Sequence, residues 1–198
     1  GVAVATFFTG AQFILNEFNH VRWATGWHGL EALLNGRNLA LGLAVLFLAR
    51  TNGLLYIINS VNDYDLIEKA NRKMILNSLS FLVFFLFFLI TLLVSSGFAY
   101  DPASETVSME KYKYLHNLLQ MPLVLVIFLT GVTGVLYGII ITVFRGSRKG
   151  IWFTGAGTIL AVISLFLLAG FNNTAFYPSA YDLNSSLSIH KASSSLFT

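Results

Sequence analysis

Arg50 is the charged residue in this sequence whose position most clearly indicates a chemical role. It lies inside the otherwise apolar stretch 39–58, and a charge at the centre of a bilayer costs at least ~2.5 kcal/mol. Such an arginine can pair with a carboxylate or another oxygen acceptor on a neighbouring element. Alternatively, its helix is displaced and the side chain snorkels toward Thr51, Asn52 and the nearer membrane surface. Arg50 is therefore the candidate binding residue, and both interpretations stay open.

The histidines are the remaining side chains that could ligate a metal: His20, His28, His116 and His190. A haem held inside a membrane usually takes two histidines, or a histidine and a methionine, as axial ligands. All four histidines lie in predicted loops or at the borders of apolar runs. His116 and Met121 are five residues apart, so one helix cannot present them to opposite faces of a haem. We expect no metal site in this chain, and we assign no catalytic residue to it.

The composition excludes whole classes of function. Hydrophobic residues make up 56% of the 198 residues and charged residues only 11%, against about 25% charged in an ordinary soluble domain. A soluble globular domain and a disordered chain are both excluded. The net charge of +3 comes from basic residues too scattered to bind nucleic acid, and the absence of cysteine excludes disulfides, thiolate zinc sites and iron-sulfur clusters.

Long apolar runs predict the fold class, an all-α polytopic membrane helix bundle. A helix needs about 20 apolar residues to cross the hydrocarbon core, and lipid offers no partner for unpaired backbone groups. We expect about five transmembrane helices, the first of them shortened, at 1–14, 39–58, 74–100, 118–144 and 151–171. Since no carboxylate lies within these runs, a pump driven by intramembrane carboxylates is disfavoured.

The chain reads as a fragment of a longer membrane protein. Its first 16 residues are uncharged and lack the basic segment of a signal peptide, so they read as the remainder of a helix. Near the other end, Ser193, Ser194 and Ser195 are typical of the N-cap of a further helix. We therefore expect one helical-bundle domain over 1–198, whose loop 172–198 leads into a missing last helix.

The charges of the loops predict their sides. Loops 59–73 and 145–150 carry six basic residues in 21 positions, whereas loops 15–38, 101–117 and 172–198 carry five in 68. Under the positive-inside rule, the first two loops are cytoplasmic and the other three lie on the outer side. Within 60–73, interleaved acidic and basic residues are typical of a solvated helix extension with local ion pairs.

One apolar set in loop 15–38 has the spacing of a helix face: Trp23, Trp27, Leu30 and Leu34. A helix lying in the headgroup plane would use the two tryptophans as anchors. Two glycines in the segment, Gly26 and Gly29, weaken a helix and leave an irregular loop as the alternative.

Small residues recur on the last two predicted helices, which only six residues separate. Gly134-x-x-x-Gly138 on one and Gly157-x-x-x-Ala161 on the other would let two antiparallel backbones approach closely. The alternative is that these glycines are merely tolerated in membrane helices.

The tail is the most specific part of the sequence. Tyr177-Pro178-Ser179 is followed, after a spacer, by Asn184-Ser185-Ser186-Leu187-Ser188 and then by Ala192-Ser193-Ser194. This pattern resembles the outer loop before the last helix of subunit II of cytochrome bd-type quinol oxidases. Thr51-Asn52-Gly53 with Tyr56 resembles a polar-glycine element of that family, and His116-Asn117 with Pro122 resembles the opening of a later helix.

Two positions depart from the family pattern. His190 and Lys191 stand where the family commonly has an aromatic residue and an Asn or Asp, and Gly36-Arg37-Asn38 replaces an Asn-Pro-Phe-like helix start. These departures concern local loop contacts more than the family.

The resemblance implies a subunit of a two-subunit oxidase of the bacterial cytoplasmic membrane that oxidises quinol and reduces dioxygen to water. It places haems b and d on subunit I, the expected partner, and none on this chain. This subunit would pack against subunit I and membrane lipid. Quinone binding stays possible, with a quinone oxygen or a haem propionate as further partners for Arg50.

Two other functions remain as alternatives. A transporter would use Arg50 near the midplane to bind an anionic substrate, although no internal repeat supports it. The chain could also be a purely structural subunit of another respiratory complex.

Overall fold

A computed structural model describes residues 1–16, 18 and 20–187; the predictions for His190, Lys191 and 193–195 lie outside them. In chain order the elements are α1 (Val2–Thr9), β1 (Phe13–Leu15), β2 (Val21–Trp23), the 3-10 helix η1 (Leu30–Leu34), α2 (Gly36–Ser60), α3 (Tyr64–Val94), β3 (Ser96–Asp101), β4 (Thr106–Lys111), α4 (Lys113–Gln120), α5 (Pro122–Arg145), α6 (Gly150–Gly170) and the 3-10 helix η2 (Leu183–Ser185).

Four of the described helices are long and apolar enough to cross a membrane: α2, α3, α5 and α6. The shortest of them, α6, has 21 residues and spans about 32 Å at 1.5 Å per residue, which matches the hydrocarbon core. The predicted helical membrane fold is confirmed. The two short antiparallel hairpins, β1-β2 and β3-β4, were not predicted.

The first predicted span, 1–14, is corrected by the structure. Helix α1 ends at Thr9 rather than at residue 14. Gly10 follows with φ 80°, a left-handed value that glycine adopts without strain and that ends the helix. Phe13–Leu15 then pairs as a strand with Val21–Trp23, so the apolar side chains of this run are shared between a helix and a sheet.

Two other predicted boundaries are also wrong. The run 74–100 is helical only to Val94, after which Ser96–Asp101 pairs with Thr106–Lys111 as a hairpin. The run 118–144 is broken at Met121, which has φ −111° and ψ 76° between α4 and α5. Pro122 accounts for the break, because proline disfavours the helical conformation at the preceding residue.

The structure divides into two compact units, and we call 43–86 with 122–165 the helical unit. Within it, α2 packs on α3 through Leu55, Ile58, Ala70 and Met74. A second cluster joins Ala44, Phe81 and Val135. Helix α3 begins ahead of the apolar run, with Glu68 and Arg72 paired on its surface, as the predicted solvated helix extension requires.

Helices α5 and α6 meet through small residues. A Cβ added to Gly131 would lie 2.6 Å from the backbone nitrogen of Ala161, and one added to Gly157 would lie 2.5 Å from the carbonyl oxygen of Gly131. A Cβ on Gly138 would likewise meet the backbone of Gly150. The predicted close approach of these two helices is confirmed, and Gly131 belongs to the same contact.

The other compact unit, which we call the hairpin unit, comprises the described residues of Gly1–Gly42, Phe87–Met121 and Phe166–Thr198. Its core holds Phe98, Tyr100, Val107 and Ala175. The β3-β4 hairpin is extended by a bridge between Ala99 and Thr174. The chain after α6 thus packs on the hairpin.

The segment from Trp23 to Leu34 is not a single helix. Trp23 ends β2, Trp27 lies in a turn, and only Leu30–Leu34 is a 3-10 helix. His28 and Gly29 both have positive φ, 50° and 93°, which breaks the helical path between the tryptophans and the leucines. The irregular loop is therefore the correct alternative.

Candidate functional site

Arg50 lies close to the middle of α2. The 25-residue helix Gly36–Ser60 has its midpoint at residue 48, so Arg50 is about 3 Å beyond the midpoint along the axis. Its side chain is exposed, and among residues 1–16, 18 and 20–187 it has neither a hydrogen-bond nor an ion-pair partner.

Snorkelling is difficult for this arginine only when α2 is centred in the bilayer, and a displaced helix would make it easier. With the helix centred in a core about 30 Å thick, the nearer surface is about 12 Å away along the axis. That surface lies toward Ser60, the C-terminal end. The Cα–Cβ bond of a helical residue tilts toward the N-terminus, so the guanidinium of Arg50 has to bend back against its own stem to reach water.

One face of α2 carries the arginine, and we call it the α2 face: Leu46, Ala49, Arg50, Gly53 and Tyr56, all exposed. At 100° per residue these five positions fall within an arc of about 120°. The opposite side of the helix is buried, with Ala44, Thr51, Leu55 and Ile58 each 4% exposed or less. Arg50 therefore points away from the other helices of the helical unit.

The α2 face is open at its small residues. A Cβ added to Gly53 would have no heavy atom within 4 Å. Gly131 of α5 and Gly157 of α6 behave in the opposite way, since a Cβ on either one collides with the neighbouring backbone. Ala49-x-x-x-Gly53 is thus a close-packing motif without a packed helix among the described residues.

Polar atoms are buried on the other side of the same helix and on α3. Thr51 is fully buried and donates from Oγ1 to the carbonyl of Phe47 at 2.9 Å. In the part of the chain that the structure describes, Asn52 Oδ1, Asn71 Oδ1 and Ser78 Oγ are buried without a hydrogen-bond partner. A buried unpaired acceptor is costly, so these atoms mark the polar positions inside the helical unit.

A second polar centre lies in the hairpin unit, around Asn117. In the sequence, Asn117 drew attention only as part of the His116-Asn117 pair that resembles the family. Asn117 is fully buried and donates from Nδ2 to Leu168 O at 3.3 Å and to Thr174 Oγ1 at 2.7 Å. Its Oδ1 accepts a hydrogen bond from Asn172 Nδ2 at 3.0 Å. This amide fastens α4 to the C-terminal end of α6.

The conformation after α6 explains why an asparagine pair stands there. Asn172 and Asn173 have φ 57° and 54°, and asparagine tolerates this left-handed region better than most residues. Two consecutive asparagines after an apolar run are a usable sequence signal for such a helix end.

The described half of the tail motif binds to β1. Ser179 donates from Oγ to Phe13 O at 2.6 Å, and its amide donates to Ser186 Oγ at 2.9 Å. Ser185 Oγ accepts from the amide of Leu15 at 2.9 Å and donates to Asp182 Oδ2 at 2.6 Å. The serines thus satisfy the backbone of an otherwise apolar strand.

The described histidines do not fit a haem site. His20, His28 and His116 are all exposed and lie outside the four long helices. His116 Nδ1 is 3.1 Å from Glu110 Oε1. No group of three or more metal-ligating side chains occurs in residues 1–16, 18 and 20–187.

Two side chains of the hairpin unit, Glu110 and Tyr114, have pKa values shifted from the ordinary ones. The hydrogen bond with His116, and then the one with Lys113, lowers the pKa of Glu110 despite the opposing effect of its partial burial. Burial raises the pKa of Tyr114, whose hydroxyl donates to Phe8 O at 3.0 Å. Both groups therefore act as fixed structural partners near neutral pH.

Four long apolar helices, connected along the chain by loops and short hairpins, define a polytopic α-helical membrane protein. The comparison with protein families then gives its membership. The chain belongs to the family Cytochrome bd terminal oxidase subunit II, whose model matches residues 1–198. The predicted resemblance to subunit II of cytochrome bd-type oxidases is confirmed. A search of the curated proteins finds no match to this chain.

Proposed function

We propose that this chain is the non-haem-ligating subunit of a bd-type oxidase that oxidises quinol and reduces dioxygen to water. The observation that carries the proposal is the family match over 1–198, supported by four helices that are long and apolar enough to cross a membrane. Subunit I is the proposed partner and the proposed carrier of haems b and d. That residues 1–198 form one helical-bundle domain stays a prediction.

The proposed role of this chain is to form part of the membrane scaffold rather than to supply a redox group. No residue is assigned a catalytic role. The three described histidines lie in exposed loops or on short elements, where they would not reach a haem in the hydrocarbon core. Haems, when bound by the partner, supply the electron transfer and dioxygen chemistry.

Arg50 is the proposed binding residue of the chain, although its partner group can be described only by charge. Its depth in α2 and its exposure within this chain support pairing with an oxygen acceptor elsewhere in the complex. Replacement Arg50→Leu should then impair assembly of the complex or its turnover. Wild-type complex yield together with wild-type quinol oxidation would reject this role.

The proposed location is the bacterial cytoplasmic membrane, with 59–73 and 145–150 on the cytoplasmic side. Arg148 supports this arrangement locally, because it donates to Asn62 Oδ1 at 2.8 Å and to Val61 O at 3.3 Å. These contacts join the two basic loops at one end of the helical unit, as the positive-inside rule requires of loops on one side. Loops 15–38, 101–117 and 172–198 would lie on the outer side.

The function is tested by purifying the tagged chain within its native complex and recording a reduced-minus-oxidised spectrum. We expect haem bands to accompany the chain, together with quinol-dependent oxygen uptake. The control is the same tagged chain from cells lacking the partner gene, which should show no bands. A haem-free complex that moves an anionic solute would instead support the transporter, and haem bands without quinol oxidation would indicate another respiratory complex.

A further inference from the structure

The junction between β4 and α4 is a strained turn inside the hairpin unit. Tyr112 lies between the two elements with φ 56° and ψ 25°, a left-handed conformation that is unfavourable for a bulky residue. Such a conformation persists only where the surrounding contacts hold it. At this junction the contacts come from Glu110, near the end of β4, and reach the first turn of α4.

Glu110 bridges two side chains of α4 with its two carboxylate oxygens. Oε1 is 3.1 Å from His116 Nδ1, and Oε2 is 3.2 Å from Lys113 Nζ. The side chain of Lys113 is only 9% exposed, so its ammonium is buried against the carboxylate. Because Glu110 precedes Tyr112 and both partners follow it, one carboxylate holds the turn closed.

We propose that Glu110 is an acid-released latch on this junction: its carboxylate holds α4 against β4, and uptake of a proton lets α4 swing away at Tyr112. One proton enters from the medium and no covalent bond of the chain backbone changes. The latch depends on contacts within this chain and not on the proposed function. Only the side to which it would respond, the outer side for loop 101–117, follows from that proposal.

Two forces drive the release once the carboxyl is neutral. The buried ammonium of Lys113 loses the negative charge that faces it, and an uncompensated buried charge is strongly destabilising. The stem of this lysine is packed on β3, since a Cβ added to Gly97 would lie 2.8 Å from Lys113 Cβ. The ammonium therefore reaches water most directly when α4 lifts. The same motion lets Tyr112 leave its left-handed conformation.

The charged groups that face the carboxylate of Glu110 come from α4. On β3, the residue paired with Glu110 is Gly97, between Ser96 and Phe98, and none of these side chains carries a charge. Within the described part of the chain, four more titratable groups lie on or beside the packed elements but do not shift the pKa of Glu110: Lys111, Tyr112, Tyr114 and Asp182. The balance of charge at the latch is thus set by Lys113 and His116.

The direction of the pH dependence follows from these two partners. The hydrogen bond with His116, and then the one with Lys113, lowers the pKa of Glu110 below 4.5. The carboxylate is therefore ionised at neutral pH and the latch is closed. Release occurs as the pH falls through the lowered pKa, as for any carboxylate that is stabilised in its charged form.

Helix α4 transmits the release to two other elements of the hairpin unit. Tyr114 donates from its hydroxyl to Phe8 O in α1 at 3.0 Å. Asn117 donates to Leu168 O in α6 and to Thr174 Oγ1. A swing of α4 at Tyr112 therefore loosens α1 and the end of α6 together.

Distances between two spin labels in the purified complex test the latch. The chain has no cysteine, so Ala103→Cys at the exposed hairpin turn and Leu119→Cys on the exposed face of α4 place unique labels in this subunit. The complex without these two cysteines gives the background. We expect one short distance at pH 7 and a second, longer distance at about pH 3.5, below the ordinary range of a glutamate. An identical distance distribution at both pH values would overturn the proposal.

Substitutions distinguish the latch from a general loss of structure in acid. Glu110→Gln, which mimics the neutral carboxyl, should give the longer distance already at pH 7 and should abolish the pH dependence. Lys113→Met removes the buried charge that drives the release and should keep the short distance in acid. The matched control is Glu105→Gln at the exposed turn of the same hairpin, which should behave as wild type.

His116→Gln measures how strongly the imidazole holds the carboxylate in its charged form. The midpoint of the distance change should rise by about half a pH unit, roughly a threefold change in the release equilibrium. A short distance in Glu110→Gln at pH 7, or release of Lys113→Met at the same pH as wild type, would show that Glu110 is not a latch.

Discussion

Asn117 donates a 2.7 Å hydrogen bond from Nδ2 to Oγ1 of Thr174, which connects helix α4 to the segment that follows α6. The two residues are 57 positions apart, and both are buried. The bond belongs to a side chain that uses both ends of its amide, since Oδ1 accepts from Asn172. Loss of this one side chain therefore leaves several buried polar groups without this hydrogen-bond partner at once.

Replacement Asn117→Leu should destabilise the hairpin unit by about 1–3 kcal/mol, because it leaves the Thr174 hydroxyl and the Leu168 carbonyl without this donor. The measurement is the thermal unfolding of the purified complex. Gln120→Ala is the control, since Gln120 accepts from Asn172 but is exposed. A smaller effect at 117 than at 120 would contradict the assignment of Asn117 as the central residue.

Replacement Gly157→Val should separate α5 from α6. A Cβ at this position would lie 2.5 Å from Gly131 O and 2.7 Å from the amide nitrogen of Val135, and the backbone cannot move without repacking the pair. We expect a loss of about 1–3 kcal/mol or more, measured as a lower unfolding temperature. Gly155→Val, where no atom lies within 4 Å, should leave that temperature nearly unchanged.

Replacement Tyr114→Phe removes a buried hydroxyl that donates to Phe8 O at 3.0 Å. The expected loss is about 0.5–1.5 kcal/mol, whereas Tyr112→Phe, at a position 45% exposed, should have little effect. Since the pKa of Tyr114 is raised, the unfolded state releases the proton first as pH rises above about 10. Stability should then fall with rising pH in wild type more steeply than in Tyr114→Phe.

Glu110 predicts an acid dependence of the opposite sign. The hydrogen bond with His116 lowers its pKa below the ordinary value of 4.5, so the unfolded state binds the proton first as the pH falls. The stability that Glu110 contributes is present above that ordinary value and is lost as pH decreases through the lowered pKa. Unfolding followed from pH 7 downward should show a larger loss for wild type than for Glu110→Gln.

The control for this titration is Glu105→Gln, at the exposed turn of the same β3-β4 hairpin. It should follow the wild-type acid profile. If Glu110→Gln and wild type lose stability in parallel, the carboxylate of Glu110 does not stabilise the hairpin.

The positions of the membrane helices were predictable because hydropathy acts locally. An apolar run such as 39–58 must satisfy its backbone within itself in lipid, and α2 covers that run as Gly36–Ser60. The small residues Gly134 and Gly157 also predicted a close contact from local sequence, because a short connection makes neighbours of consecutive helices. The break before Pro122 was also signalled locally, by the proline itself. The hydropathy of the run 118–144 does not show it, because the apolar residues continue past this position.

Hydropathy cannot separate a membrane helix from apolar residues buried in a sheet. Phe98 and Tyr100 continue the apolar run of α3 but are buried in the hairpin unit against Val107 and Ala175. Whether such residues are helical depends on which distant segment supplies their hydrogen bonds. The amide of Tyr100, for example, donates to Asn173 O.

By itself, the sequence determined that this protein is a helical membrane protein and, through its tail motif, which family it resembles. Both depend on residues close together in the chain. The tertiary structure decided where the helices end, that Asn117 is a buried connector, and that Arg50 points away from its own helical unit. These properties depend on which residues are brought together from distant parts of the chain, and that pairing is not encoded in any local pattern.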